Sequence, residues 1–316
     1  MQPKPIAPPS LTAFLAGLID YAGLYPPANL SLTEAISQYH HYLHSLDSWM
    51  LGHFVIGAGR LADLTTLLAE HPHLLSGRPL TLAVVGQGGE SPEQFLANWE
   101  TDAAAIQTFN DTHGEQAQVA QVELKLPPLP DAAALTQLIH DAQSVLKLPA
   151  FYELRLDHQW PENLALTTAG LAAAGEGVGL KLRTGGVTPE QFPTVSQVAA
   201  VLIACRDAGV PLKCTAGLHH PIRQYREEVS TKMHGFVNLF GAGILAHALR
   251  LRSAHVQLIL QDERPENFCF DARGFHWQVY EVKAEQIAAA RQSALISFGS
   301  CSFDEPREDI RTLGWL

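Results

Sequence analysis

Lys181 and Lys213 each take the second position of a short alternating segment, Leu180-Lys181-Leu182-Arg183 and Leu212-Lys213-Cys214-Thr215. If the two segments are neighbouring parallel strands, the lysines stand at matching depth about 4.8 Å apart. An ammonium flanked by a second ammonium and by Arg183 has its charged form disfavoured, which leaves free amine able to attack a carbonyl and form a Schiff base. Glu123 in Val122-Glu123-Leu124-Lys125-Leu126 and Glu153 in Glu153-Leu154-Arg155-Leu156-Asp157 add carboxylates with the same alternation. Such groups suit proton transfer, but pairing with the cations would cancel the effect and leave the lysines to bind an anion. Both chemistries stay open on the residues alone. A third use of these charges is an ion-pair layer that only holds the fold together, although buried ionic layers stabilise poorly beside apolar packing.

Glycines and hydroxyls follow the charged segments: Gly86-Gln87-Gly88-Gly89, Thr184-Gly185-Gly186, Thr215-Ala216-Gly217 and, near the end, Gly299-Ser300-Cys301-Ser302. Successive backbone N–H groups at a helix start favour a phosphate or carboxylate, so Thr184, Gly185, Gly186, Thr215, Gly217 and Ser300 join Arg183, Arg155 and Lys125 as anion-site candidates. A turn needing positive φ accounts equally well for any one of the glycines. His219 and His220 come next in Leu218-His219-His220-Pro221, with His234 and Asn238 beyond. Adjacent histidines lack the spacing of a zinc motif and no carboxylate stands near in sequence, so acid-base work by His219 and substrate contact by His220 are expected, and no metal or cofactor. Cys301 is expected to pack, and Asp304 to cap a terminal helix.

These residues need a scaffold that aims them at one point. Strand patterns at 49–56, 80–85, 119–126, 150–156, 178–184 and 211–216 alternate with helical patterns at 32–44, 61–70, 92–109, 131–146, 161–173 and 194–207. An open sheet covered on both faces would carry continuous apolar strands, whereas barrel strands send every second residue into a lumen that tolerates charge near its top. Four strands alternate leucine or cysteine with charge or hydroxyl, so the reading is an α/β fold, a (β/α)8 TIM barrel with an insertion before the last strand. The first strand is placed within 18–25 and the eighth at 295–300, with a helical pattern after Ile222, a hairpin-like insertion around 265–280, and 1–316 as a single domain.

Composition narrows the partners. The 316 residues carry a formal charge of −11, with 47% hydrophobic and 17% charged residues, which disfavours nucleic acid and anionic membranes and favours a small anionic metabolite. The longest apolar run, 237–249, is too short to cross a bilayer, and residues 1–10 have no signal-peptide pattern. Four cysteines without a CxxC fit a reducing, cytoplasmic setting. The apolar stretches 195–203 and 237–245 are candidate subunit contacts for a homo-oligomer.

Lys181-Leu182-Arg183-Thr184-Gly185-Gly186 and Val210-Pro211-Leu212-Lys213-Cys214-Thr215-Ala216-Gly217 together resemble the paired-lysine region of class I aldolases of the deoxyribose-phosphate aldolase type. The resemblance implies that Lys181 forms the Schiff base, that Lys213 tunes it, and that Gly217 and Ser300 belong to an anion site. Arg183 and the Leu218-His219-His220 loop depart from that pattern, and the family's strand-four acid has only Glu123 and Glu153 as candidates. The chain also resembles a conserved bacterial group marked by Gly23-Leu24-Tyr25-Pro26-Pro27 and by the run from Gly299 to Pro306, a resemblance that implies no activity. The resulting expectation is a lyase acting on a small phosphorylated or carboxylated carbonyl compound, with Glu123 or Glu153 as proton shuttle. The alternatives are a lyase or isomerase centred on His219 and His220, with or without a metal, and a barrel that binds an anion without turnover.

Overall fold

The computed structural model describes residues 7–316, so the reading of the first ten residues falls mostly on residues outside it. Seven strands come first: β1 (Ile19–Tyr21), β2 (Leu51–Gly57), β3 (Leu80–Val85), β4 (Ala117–Lys125), β5 (Ala150–Glu153), β6 (Val178–Arg183) and β7 (Leu212–Thr215). An antiparallel hairpin of β8 (Gln224–Arg226) and β9 (Thr231–Met233) follows, then a small sheet of β10 (Phe268–Phe270), β11 (Phe275–Trp277) and β12 (Tyr280–Val282), and finally β13 (Leu295–Ser300). The first seven and β13 close into a barrel in the order β1-β13-β7-β6-β5-β4-β3-β2, every neighbour parallel. This is the (β/α)8 barrel that the alternation predicts, with its insertion between the seventh and eighth barrel strands.

The helices are α1 (Pro9–Leu15), α2 (Leu32–Leu43), α3 (Leu61–Glu70), α4 (Pro92–His113), α5 (Ala132–Val145), α6 (Trp160–Ala174) and α7 (Val195–Ala208), then α8 (Phe236–Leu249), α9 (Ser253–Gln261), α10 (Ala284–Ser293) and α11 (Asp304–Thr312). Side chains fix the starts. Ser31, Ser91, Asp131 and Thr194 each accept an N–H from the residue three positions on, satisfying a donor that the first turn leaves open. The apolar face of each strand, such as Leu180 and Leu182 or Leu212 and Cys214, is buried under this helix layer. Register then sets the depth of the other face: Lys125, Glu153, Lys181 and Lys213 are successive Cα partners on β4 to β7. One level higher, Arg183 pairs with Thr215, Thr215 with Gly299, and Gly299 with Asp20.

Three expectations change. Residues 224–233 form the β8–β9 hairpin, so the helix placed after Ile222 begins only at Phe236. The apolar stretch 237–245 is core, since residues 236–246 of α8 are all buried, among them Phe236 and Phe240 packed against Phe298 of β13. On α7, Val198, Ala199, Val201 and Leu202 are buried too, so these faces serve the core. β5 stops at Glu153, which takes Arg155 out of the lumen. No helix among the described residues is long and apolar enough to cross a membrane. Below the barrel, buried Arg291 of α10 donates to the carbonyls of Phe14 (2.9 Å) and Ala16 (3.0 Å) and to those of Leu295 and Ile296, tying α1 to the start of β13.

Candidate active site

A continuous chain of ion pairs crosses the barrel lumen. Lys213 Nζ lies 2.6 Å from Asp20 Oδ2 and 2.6 Å from Glu123 Oε1. The other oxygen of Glu123 is 2.7 Å from Lys181 Nζ, which reaches Glu153 Oε2 at 3.1 Å. Arg183 Nε closes the series on Glu153 Oε1 at 3.3 Å. Side-chain exposure rises along it, from 0% at Lys213 to 2% at Glu123, 18% at Glu153 and 48% at Arg183, so the chain runs from a dry floor to the mouth. Three carboxylates face three cations, which is how so much charge is kept out of water.

Burial alone would raise the Glu123 carboxyl, but Lys181 and Lys213 outweigh it and hold the group at about 2. Glu153 is likewise below the usual carboxylate range, burial again being opposed by Lys181 and Arg183. For Lys213 burial favours the neutral amine, yet Asp20 and Glu123 win and its pKa is raised. Lys213 is therefore a fixed cation. The flanking positive charge that the spacing suggests for Lys181 is thus met by the two glutamates.

Asp20 is the member that the sequence pattern did not single out. Its Oδ2 also accepts the Ser297 hydroxyl at 2.6 Å and its Oδ1 accepts the His53 N–H at 2.6 Å. A Cβ on Gly52 would stand 2.1 Å from Oδ1, so glycine there is what lets the carboxylate settle. The signal was present as one acid between Ile19 and Tyr21, but a three-residue strand offers no period to read. His53 stays neutral, because burial lowers its pKa. Tyr25 is a second unforeseen neighbour: burial, then the field of Glu123, push its phenol up to about 12, so it keeps its proton as a donor.

The remaining cations sit at the rim. Lys125 is exposed, and Arg155 NH2 pairs with Asp157 Oδ2 at 3.1 Å just beyond β5, not in the lumen. With Arg183 they line a cavity of about 270 Å³ whose wall includes Glu153, Glu190 and Phe192.

The glycine loops are built differently. Thr184 is fully buried, and its hydroxyl donates to the carbonyls of Thr215 (3.1 Å) and Ala216 (2.5 Å). Gly217 has φ +72°, and a Cβ on it would lie 2.8 Å from the Gly185 Cα, so the two glycines allow the loops to touch. A Cβ on Gly186 would lie 2.0 Å from Gln191 Oε1, the atom that accepts the N–H groups of Val187 (2.6 Å) and Thr188 (3.2 Å). Thr215 lies at the level of Arg183 on β7. Ser300 is buried, its hydroxyl accepting the Ser302 N–H at 3.3 Å.

Carboxylates far away in sequence meet the histidine pair. His219 Nδ1 is 2.9 Å from Glu305 Oε2 and His220 Nδ1 is 2.6 Å from Asp309 Oδ2, both on α11. Glu305 is held below its ordinary range by the His219 hydrogen bond. His234 and Asn238 are structural: His234 Nε2 donates to the Pro193 carbonyl at 2.7 Å, burial lowering its pKa to about 4, and Asn238 binds the carbonyls of Ile259 and Asp262 at 2.8 Å each. Asp304 accepts the Tyr42 hydroxyl at 2.6 Å, and it is Ser302 that takes the Glu305 N–H at 3.1 Å, so the cap expected of Asp304 falls to Ser302.

No protein-family model matches the chain, and no curated protein does. Solved structures similar to it include a tetrameric deoxyribose phosphate aldolase from Aeropyrum pernix, at 12% identity and a TM-score of 0.47, over 96% of this chain and 93% of that one. A monomeric dihydrodipicolinate synthase variant is similar at 12% identity and a TM-score of 0.41, over 81% of each chain. The catalytic domain of a mannanase from Streptomyces sp. SirexAA-E is similar at 14% identity and a TM-score of 0.42, over 75% of this chain and 73% of that one.

Proposed function

We propose that the protein is an aldolase-like lyase that forms a Schiff base between Lys181 and a small carbonyl compound bearing a carboxylate or phosphate. The observation that carries this reading is the position of Lys181: its amine is held between Glu123 and Glu153 at the point where the dry lumen meets the mouth. In that setting the ammonium passes a proton to Glu153, the more exposed of the two carboxylates, and the free amine adds to the carbonyl carbon. Loss of water leaves a protonated iminium opposite Glu123. Across these steps R–NH3+ and O=CR2 become R–NH+=CR2 and water.

Lys213 keeps Glu123 ionised, so the iminium always faces a negative charge. The iminium withdraws electrons from the neighbouring carbon-carbon bond, so no cofactor is required, and Glu153, 3.1 Å from Lys181 Nζ, stands near enough to return a proton to the enamine. Four free cysteines suit a cytosolic setting.

The test is borohydride trapping with a panel of aldehydes, keto acids and sugar phosphates, read by intact mass and peptide mapping. Hydride delivered to the iminium carbon gives a stable secondary amine on Lys181. That adduct is expected to vanish in Lys181→Met and to weaken in Lys213→Met. Should no lysine be trapped while an anionic ligand still raises the melting temperature, the Schiff-base reading fails and the His219 and His220 pairs with α11 become the centre to examine.

A further inference from the structure

We infer that the substrate's anionic group docks in the cavity over the ends of β4, β5 and β6, and that this group is a single carboxylate close to the reacting carbonyl; the inference rests on the Schiff-base reading of Lys181. The cavity of about 270 Å³ is bordered by Lys125, Arg155 and Arg183, one cation from the end of each of the three strands or the turn just after it. Arg183 gives only its Nε to Glu153, and Arg155 gives only NH2 to Asp157. Each guanidinium therefore keeps further N–H donors for a ligand, and a planar fork suits the two oxygens of a carboxylate.

Charge balance selects the anion. Glu153 and Glu190 share the wall with the three cations, so the lining carries one net positive charge. A carboxylate neutralises it, whereas a phosphate monoester, near two negative charges at neutral pH, leaves an excess of negative charge beside Glu153. Distance selects where that carboxylate sits on the substrate. Lys181 Nζ and Arg183 Nε contact the two oxygens of the same Glu153 carboxylate, at 3.1 and 3.3 Å, so only a short oxo acid fits between an iminium and that guanidinium. Phe192 on the same wall takes an apolar remainder.

The glycine loops after β6 and β7 offer less. There the Thr184 hydroxyl is spent on two carbonyls, Gln191 takes the Val187 and Thr188 N–H groups, and the Gly185–Gly217 contact is filled by backbone. The substrate is thereby oriented with its charge toward β4 to β6.

Three matched two-carbon aldehydes test this: glyoxylate, glycolaldehyde and glycolaldehyde phosphate, trapped with borohydride on Lys181 and compared by half-saturating concentration. Wild type is expected to favour glyoxylate over glycolaldehyde by at least about tenfold, the worth of one or two charge-assisted hydrogen bonds. In the Lys125→Gln/Arg155→Gln variant that ratio is expected to drop about tenfold, with circular dichroism showing an intact fold. An unchanged ratio in the variant, or a wild-type preference for the phosphate ester over glyoxylate, overturns the carboxylate site while leaving Schiff-base formation standing. Absence of a Lys181 adduct with all three aldehydes overturns both together.

Discussion

Replacing Glu123 by glutamine is the sharpest probe of the lumen, because shape is kept and one charge is removed. The wild-type carboxyl is 2% exposed, lies 2.7 Å from Lys181 and 2.6 Å from Lys213, and is held at about 2 against an ordinary 4.5. Its folded pKa is depressed, so its contribution to stability is complete above the unfolded value and fades as pH falls from about 4.5 toward 2. Removing one partner from such a buried ion pair costs roughly 3 kcal/mol. In urea, with a slope of about 3 kcal/mol/M, the midpoint of Glu123→Gln should lie roughly 1 M below wild type at pH 7. Urea curves at pH 7, 5, 4 and 3 should show that gap closing over the two most acidic points. A gap that stays constant with pH, or a variant more stable than wild type at pH 7, would refute the argument that the lysines hold this carboxylate ionised.

Two further substitutions test the supports of the site. Gly52→Ala puts a methyl 2.1 Å from Asp20 Oδ1 and should displace the carboxylate from Lys213 and Ser297, costing about 3 kcal/mol in urea unfolding; a loss below about 0.5 kcal/mol would show that Asp20 is not pinned there. Arg291→Lys keeps the charge but cannot reach the carbonyls of Phe14, Ala16, Leu295 and Ile296 together, so about 3 kcal/mol should be lost and amides in 9–16 should exchange faster. Unaltered exchange in that segment would mean that α1 is held by apolar packing alone.

Much of the barrel could be read from alternation, because β4, β6 and β7 each carry a charged inward residue between buried leucines, valines or cysteines. Glu123, Lys181 and Lys213 follow directly from that pattern, and register sets the two lysines side by side on the Glu123 carboxylate. That Arg155 lies outside the lumen was not legible, because Leu154-Arg155-Leu156-Asp157 keeps the alternation after the strand has ended, where Asp157 turns the chain by accepting the Gln159 N–H at 2.9 Å. Asp20 escaped for the opposite reason, its strand being too short to show any period. The partners of His219 and His220 lie 86 and 89 residues further on, on a helix whose docking no local spacing encodes. For the glycine loops, composition shows freedom of the backbone but not that Gln191 and the Gly185–Gly217 contact occupy the space it opens.

The seam between β1 and β13 has a consequence for biosynthesis. β1 is the first barrel strand to be made and β13 the last, and each finds its missing neighbour in the other. Asp20 receives a hydroxyl from Ser297 on that final strand, and Lys213 receives Asp20 across the same gap. While the polypeptide is still growing, the innermost ammonium lacks one of its two counterions and the sheet has two open edges, a state that invites pairing with other chains. Folding therefore hinges on a late, long-range closure in which the buried charges become neutralised and the last hydrogen-bonding edges disappear together.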